Sequence, residues 1–524
     1  MSTMFDFVIA GSAFGGSLMG LILQRMGFSV AIVDRSAHPR FAIGESSTPL
    51  ADQVLAELCQ RYSLPTIAPL TSYGGARREL PHIRVGLKRG FSYFRQRSGS
   101  EFGAVDGRVE QLLVAASSTD EASDTHWLRS DVDHFFAQQA RLAGVAIVES
   151  TGIARIERNG QVWQLTIQPA ETGSGPETGS GAETGSGAET GRLLARFLID
   201  ASGRGGAIAA RAASLDCSSN LQAGPVPTIP YTFLTDSRAL FGHFQGVIPW
   251  QQILAQQGVP TARYPFPCDH AALHHIIDHG WVWNLRFDHG VTSVGVVLDC
   301  ARHRNIAHLP AADQFWQIVR KYPSLERQMR SAQCVAPAGG IQATRPMQFL
   351  RPQMSGQTWV CLPSAAGFID PLHSTGIAHT LHAIDGLSRF FQQTAIGSRE
   401  QVQRLDSYSA GLRHEFALID QLVSATYRAN ADFDAVVSAT MLYFSAATFS
   451  ERCSAAEPAL FLNAGNQAVI QGVQASWAAI EACRRGDADW RQLPCLVRQF
   501  IAPFNVAGLA DSSPDNLYRH TNSR

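Results

Sequence analysis

Residues 5–34 carry the pattern that most restricts this chain. A short apolar run, Phe5 to Ala10, leads into the turn Gly11-Ser12-Ala13-Phe14-Gly15-Gly16. A helical run from Ser17 to Met26 follows and stops at Gly27, and a second apolar run, Ser29 to Val33, ends at Asp34. Strand, tight turn, helix and strand make a β-α-β unit. Glycines let the turn bring its backbone close to a pyrophosphate at the helix N-terminus, where unpaired amides and the helix dipole favour an anion. Ala13 stands in the middle glycine position and adds only a methyl. Asp34 lies 23 residues beyond Gly11, the distance at which an acid accepts the hydroxyl of an adenosine ribose. Gly11, Ala13, Phe14, Gly15, Gly16 and Asp34 are therefore expected to bind a dinucleotide. The rival reading, a helix packed through small residues, does not account for the acid.

The run Phe7 to Leu23 has no charge, but Asp6 precedes it, no basic segment leads it, and small residues break it. That favours a buried strand and helix over a signal peptide or a membrane span. No later stretch is long enough to span a bilayer, so a cytoplasmic protein without a membrane span is expected. Hydrophobic residues at 45% and charged residues at 17% suit a large globular core. A net charge of -1 offers no electrostatic footprint for nucleic acid. Nine scattered cysteines without a C-x-x-C read as reduced thiols, with neither a disulfide framework nor a metal site expected. Only Lys88 and Lys321 among the 43 basic residues are lysine. A lysine kept in so arginine-rich a chain draws attention, because lysine can give up its proton and arginine cannot.

Helices are predicted over Ala51–Tyr62 and Asp131–Ala143, and strands over Val145–Glu149, Gln161–Gln168 and Arg192–Ile199. Ile83 to Phe94 reads as a strand interrupted at Lys88-Arg89-Gly90. A Glu-Thr-Gly-Ser-Gly repeat fills 171–191, too small and polar to pack, and is expected to be a flexible hairpin extension. Trp281 to Asp299 holds two alternating runs about a His289-Gly290 turn. Gln357 to Leu362 reads as a buried strand before a helix over Gly376–Gln393. The expected division is 1–215 for the first part of the nucleotide-binding module, 216–335 for a β-rich substrate layer, 336–395 for the module's second part and 396–524 for a helical C-terminal cap.

Three further motifs carry chemistry. Gly44-Glu45-Ser46-Ser47-Thr48-Pro49 is a polar loop ending in a helix cap. Asp200-Ala201-Ser202-Gly203 ends a strand, where the chain approaches the nucleotide again. Gly367-Phe368-Ile369-Asp370-Pro371-Leu372-His373-Ser374-Thr375-Gly376-Ile377 is a turn opening a helix whose first N–H groups suit an anion or a ring edge. Together these resemble the flavin-dependent halogenases, often called tryptophan-halogenase-like, within the FAD monooxygenases. The resemblance covers about residues 5–395 in motif order. It implies an α/β, FAD-binding Rossmann-like fold of the hydroxylase type, with an inserted β-rich substrate layer and a C-terminal helical cap.

It also implies roles. Gly44, Glu45 and Ser46 would lie over the flavin, and Arg129, Asp200, Gly203, Gly367, Asp370, Pro371 and Ile377 would complete the cofactor site. Thr375 and Gly376 would hold chloride or bromide by their backbone. Lys88, in Lys88-Arg89-Gly90-Phe91-Ser92-Tyr93-Phe94, matches the essential lysine with one residue more before the final Phe. Reduced FAD, O₂ and halide would give hypohalous acid, which Lys88 holds by hydrogen bond or as a haloamine for an electron-rich aromatic or peptide-linked substrate. His373 stands where members acting on free tryptophan carry Glu, which argues against tryptophan. It reads as a base or substrate contact, or as a helix-start histidine satisfied by carbonyls. Trp281-Val282-Trp283-Asn284-Leu285-Arg286 keeps half of the family's Trp-x-Trp-x-Ile-Pro signature; Trp281 and Trp283 line the substrate cavity or pack in the core. His379 and His382 read as structural. No second nucleotide fingerprint is visible, so a separate flavin reductase is the expected partner. A monooxygenase that ignores halide, a geranylgeranyl-reductase-like enzyme and a non-catalytic FAD-binding maturation partner stand as rival readings.

Overall fold

The computed structural model describes residues 3–105, 107–170, 191–216, 231–453, 459–511, 513 and 515–519. Residues 171–190 of the Glu-Thr-Gly-Ser-Gly repeat lie outside them.

The elements that place the site begin with β1 (Thr3–Ala10), α1 (Phe14–Arg25), β2 (Val30–Val33), α2 (Pro49–Arg61), β3 (Val85–Lys88) and β4 (Gly90–Arg95). Then come β5 (Gln111–Ala115), β6 (Asp124–Trp127), α3 (Arg129–Leu142), β7 (Ala146–Val148), β8 (Thr151–Asn159), β9 (Val162–Pro169) and β10 (Gly191–Asp200). The middle of the chain holds β11 (Ser237–Gln245), β12 (Ala272–Ile277), β13 (Gly280–Arg286), β14 (Val291–Asp299), β15 (Gln333–Ala336) and β16 (Trp359–Cys361). Long helices close it: α4 (Thr375–Gln393), α5 (Arg399–Arg428), α6 (Phe433–Arg452), α7 (Gln467–Arg485) and α8 (Leu493–Ile501).

The first sheet runs β8-β9-β10-β1-β2-β7, with β16 beside the last residues of β10. Strands β7, β2, β1, β10 and β16 are mutually parallel, so their C-terminal ends share one edge. The nearly unbroken apolar run of β1 follows from burial on both faces: Phe7, Val8 and Ile9 are fully covered, by α1 and α4 among others. Ligands bind such sheets at that edge, where connections leave in opposite directions. Here the divide falls between β1, which leads through α1 to β2, and its other neighbour β10.

The second sheet runs β15-β11-β14-β13-β12-β4-β5 and ends on Leu517–Tyr518. It draws β4 and β5 from the N-terminal region to pair with strands of 272–336. The break expected at Lys88-Arg89-Gly90 separates two sheets: β3 pairs only with β6 in a small antiparallel ribbon, while β4 joins the large sheet. Arg89 at the corner donates its N–H to the His270 carbonyl at 2.7 Å. Ser398, Asp432 and Asn466 cap α5, α6 and α7 through side-chain oxygens. Among the described residues no helix is long and apolar enough to cross a membrane.

Candidate functional site

The glycine-rich turn meets the loop after β10. Gly11 has φ +100°, and a Cβ there would lie 2.6 Å from the Ala201 carbonyl oxygen. A Cβ on Gly16 would collide with the Gly11 carbonyl. These positions need glycine for both conformation and space. Helix α1 starts at Phe14 with Ala13 as N-cap and no capping side chain. Its first amide instead donates to Asp133 Oδ1 at 3.2 Å. Helix α4 crosses α1 at Gly15, where an added Cβ would lie 2.9 Å from Thr380 Cγ2.

Asp34 accepts from the Ser12 amide at 2.6 Å, the Ser12 hydroxyl at 2.8 Å and the Ser36 amide at 2.9 Å, and pairs with Arg40 at 2.7 Å. Burial raises its pKa, but Arg40 and these donors outweigh it and hold the carboxyl below the usual range. Asp200 accepts from the Ser202 amide and hydroxyl and from the amides of Ile208 and Ala209, so its carboxylate organises the loop that faces the turn. Gly203 in that loop has φ +68°.

Arg129 locks the next piece. It grips Asp133 with two bonds of 2.9 Å and donates to the Ile43 and Gly44 carbonyls at 3.1 and 2.9 Å. One residue pair therefore ties the α1 N-terminus to the Gly44 loop. Glu45 is buried and bonds His243 Nε2 on β11 at 2.6 Å, while its carbonyl accepts from Trp127 N at 2.6 Å. Ser46 bridges to His126 on β6. Thr48 caps α2 by accepting from Ala51 N at 3.3 Å, with Pro49 at the first helical position.

Lys88 is fully buried at the end of β3. Its ammonium donates to the Ser47 carbonyl, lies 3.8 Å from Asp124 Oδ2, its cross-strand partner on β6, and sits 4.1 Å from the centroid of the Phe91 ring. Burial pushes its pKa down to about 8, and the charges of Asp124, Asp52 and Glu451 oppose that fall. His126 and His274 lie close enough to be influenced by Lys88, and burial drives each down to about 3, so both are neutral. His274 stacks on Tyr93 at 4.6 Å.

Gly367 pairs through a short strand with Leu350. Asp370 Oδ2 accepts from Ser237 Oγ at 2.5 Å and Tyr427 Oη at 3.0 Å, and Oδ1 from Leu372 N at 3.0 Å. Burial outweighs these donors and raises its pKa to about 6. After Pro371, Ser374 adopts φ +54° and starts α4 without a capping side chain. Thr375 and Gly376 are the first two residues of the helix, nothing lies within 4 Å of a Cβ built on Gly376, and Ile377 is buried. His373 is buried flat against Tyr443 of α6, with ring centroids 4.5 Å apart and planes 6° apart. Neither ring nitrogen makes a hydrogen bond of good geometry. Burial lowers its pKa to about 3, against a small opposing influence of the Leu422 backbone.

The expected residues thus fall into two places. Gly11 to Gly16, Asp34, Arg129, Asp200 and Gly203 surround the C-terminal edge of the parallel sheet. Lys88, at the end of the β3–β6 ribbon, and His373, within the 370–377 segment, lie instead at the aromatic rings of Phe91 on β4 and Tyr443 on α6. Trp281 and Trp283 lie on the same face of β13, 5.9 Å apart, with Trp281 Nε1 donating to Tyr427 Oη and Trp283 Nε1 to Ser293 Oγ. His379 bonds Glu415 at 2.8 Å, and Glu415 also accepts from Phe461 N. Among the described residues no group of three or more His, Cys, Asp or Glu is placed to hold a metal. The sequence reading missed Asp124, Tyr427, Tyr443, Glu451 and His243. They sit in no motif, and chain spacing carries no trace of the cross-strand and helix-to-sheet pairings that bring them in.

The fit to FAD rests on the turn cleared of Cβ atoms, two helix N-termini without capping side chains and a carboxylate at the end of β2. The family model for tryptophan halogenase matches residues 245–438. The tetracycline 7-halogenase of Kitasatospora aureofaciens is 29% identical over 73% of this chain and 62% of its own length, so the match spans less than two thirds of that relative. Monodechloroaminopyrrolnitrin halogenase PrnC of Pseudomonas fluorescens is 26% identical over 82% of this chain and 69% of its own. The crystal structure of halogenase PltM in complex with phloroglucinol and FAD shares the fold, with a TM-score of 0.77 and 22% identity over 97% of this chain and 98% of that one. These comparisons show similarity to the flavin-dependent halogenases, through a family model over part of the chain and relatives of 26–29% identity.

Proposed function

We propose that the protein is an FADH₂-dependent halogenase that delivers an electrophilic halogen through Lys88 to an electron-rich aromatic ring. The observation that carries this reading is the setting of Lys88. A fully buried amine with a pKa lowered to about 8 lies against the Gly44 loop, beside aromatic rings and a carboxylate. Perturbed ionisable groups of this kind cluster at reacting centres.

FAD, held in reduced form by the Gly11–Gly16 turn, Asp34 and the Asp200 loop, would supply the two electrons that convert O₂, halide and a proton into hypohalous acid and water. Thr375 and Gly376, opening an uncapped helix, present backbone N–H groups to the halide. Lys88 holds hypohalous acid as a hydrogen-bond donor or, when neutral, takes its halogen. A ring carbon then forms the carbon–halogen bond as the halogen's bond to oxygen or nitrogen breaks, and the ring proton leaves as part of water or returns to the amine. Neutral His274 and His373 and the surrounding rings keep bulk water out.

The substrate is a free aromatic compound or a ring linked to a carrier or peptide, and a separate flavin reductase supplies FADH₂. PltM has been seen with phloroglucinol, which makes phenols the first class to try. The test is mass spectrometry of products formed with reduced FAD, O₂ and either bromide or chloride over phenols, indoles, pyrroles and carrier-linked pyrroles. Halogenated product that disappears without halide is expected. Product gaining only oxygen, or turnover that persists without O₂, would sink the reading.

A further inference from the structure

Lys88 meets a carboxylate that no motif contains. In the antiparallel register of β3 and β6 it stands directly opposite Asp124, and cross-strand partners share one face of a ribbon. The ammonium and Asp124 Oδ2 are 3.8 Å apart, an ion pair too long for a hydrogen bond. Both side chains are buried, that of Lys88 completely. The ribbon itself is held on both edges. A Cβ on Gly86 would collide with the Arg286 carbonyl, so β3 packs backbone against backbone on the end of β13. Strand β6 is bonded to the Gly44 loop, from Trp127 N to the Glu45 carbonyl and from Ser47 N to the Thr125 carbonyl at 3.0 Å. The Ser47 carbonyl of the same loop accepts from Lys88.

The other titratable groups about Lys88 are engaged differently. Asp52, in the first turn of α2, accepts the Ser47 hydroxyl and sits at a helix N-terminus, which already stabilises its charge. Glu451 of α6 influences Lys88 through its charge. His126 of β6 and His274 of β12 also face it, and burial holds both neutral. An ammonium removed from water loses its hydration, so burial pushes Lys88 towards its neutral form. The carboxylate at ion-pair distance is the strongest influence opposing that push.

We propose that Asp124 is a positioning residue for halogen transfer: opposite Lys88 on the ribbon, it keeps that amine cationic and fixed against the Gly44 loop. The proposal rests on the halogenase reading and chooses between the two forms of Lys88 left open there. Cationic Lys88 donates to the oxygen of hypohalous acid. A ring carbon bonds to the halogen as the halogen–oxygen bond breaks, and both electrons of that bond stay on oxygen. The Lys88 proton completes a water molecule. The neutral amine then takes the proton that the ring carbon gives up, and Asp124 stabilises the restored ammonium. A haloamine would need the neutral amine at the outset, the form that Asp124 disfavours. Asp124 acts only through Lys88.

The test uses the scarcity of lysine. Lys88 and the exposed Lys321 are the only two, so ε-¹³C-lysine labelling gives two NMR resonances, which Lys88→Ala assigns. Both are followed against pH in the FAD-loaded full chain. Native Lys88 is expected to titrate at about 8. D124N should lower its proton affinity by about tenfold or more, and E451Q by less. The rate of halogenated product formation should fall as pH rises through the Lys88 titration, and fall at correspondingly lower pH in D124N with unchanged FAD content. A native Lys88 that is neutral at pH 7 overturns the proposal, as does a D124N titration that moves no further than that of E451Q. Activity lost in D124N with the native pH profile marks a purely structural role and also overturns it. If D124N does not fold, E451Q decides: Lys88 still cationic at pH 7 supports Asp124 as its partner, and Lys88 turned neutral overturns it. An Asp124-dependent titration with no halogenated product from any ring supports the pairing and sinks the halogenase reading.

Discussion

The Trp281 indole N–H donates to the Tyr427 hydroxyl at 3.0 Å, and that hydroxyl donates to Asp370 Oδ2 at 3.0 Å. The chain of bonds runs from the second sheet through α5 to the segment that opens α4. Tyr427→Phe removes one of the donors to a buried carboxylate. It should cost about 1–3 kcal/mol in urea unfolding. Because Asp370 sets the entry into the Thr375–Gly376 turn, the halide KM should rise several-fold with little change in the KM for the aromatic substrate.

Asp370 also sets a pH dependence. Its pKa rises from the ordinary 3.8 to about 6 in the folded chain, chiefly by burial. A carboxyl that holds its proton more tightly when folded stabilises the fold most below its unfolded pKa. That contribution is lost as pH rises through about 6, and amounts to about 3 kcal/mol. The difference in unfolding free energy between the native protein and Asp370→Asn should therefore change across pH 4 to 6.5 and level off above. A difference that is flat over this window would contradict the assignment.

Lys88→Ala and Lys88→Arg should both lose halogenated product by at least about a hundredfold while retaining FAD. Arginine cannot become neutral at working pH and does not fit as a compact point donor to the Ser47 carbonyl. Oxidation of reduced flavin by O₂ should continue in both, released as peroxide. Product analysis beside a peroxide assay separates this outcome from a general loss of the site.

His243→Ala leaves the buried Glu45 without its hydrogen-bond partner, a loss of about 1–3 kcal/mol. His243→Gln keeps a donor and should recover much of that loss. Because Glu45 belongs to the Gly44 loop, FAD should dissociate faster from the alanine variant. Thermal melts and flavin fluorescence on dilution measure the two effects.

Gly16→Ala places a methyl against the Gly11 carbonyl, backbone against side chain with no flexible group to yield. The protein should purify without yellow colour or fail to accumulate. Gly376→Ala, where nothing lies within 4 Å, should fold normally and serves as the control.

The N-terminal unit was legible because every part of it is local. β1, the turn, α1 and β2 are consecutive, and Gly11 and Gly16 are needed by contacts within six residues or at the neighbouring strand end. Helix starts at Thr48 and Ser398 follow the same logic of a side chain bonding an amide three residues on. The break at Arg89 was legible too, from a glycine after two charges, but not its meaning. Only the pairing of β3 with β6 and of β4 with β12 shows that the chain changes sheets there.

The sequence by itself therefore determined the β-α-β unit at the edge of the parallel sheet, since short-range sterics and periodic burial write themselves into neighbouring residues. It also singled out Lys88, through scarcity and resemblance. What surrounds Lys88 only the tertiary structure decided. Asp124 reaches it across a strand pair, Phe91 from the next sheet, and Glu451 from a helix more than three hundred residues away. A lowered pKa is a sum over such distant partners, and no local pattern records it.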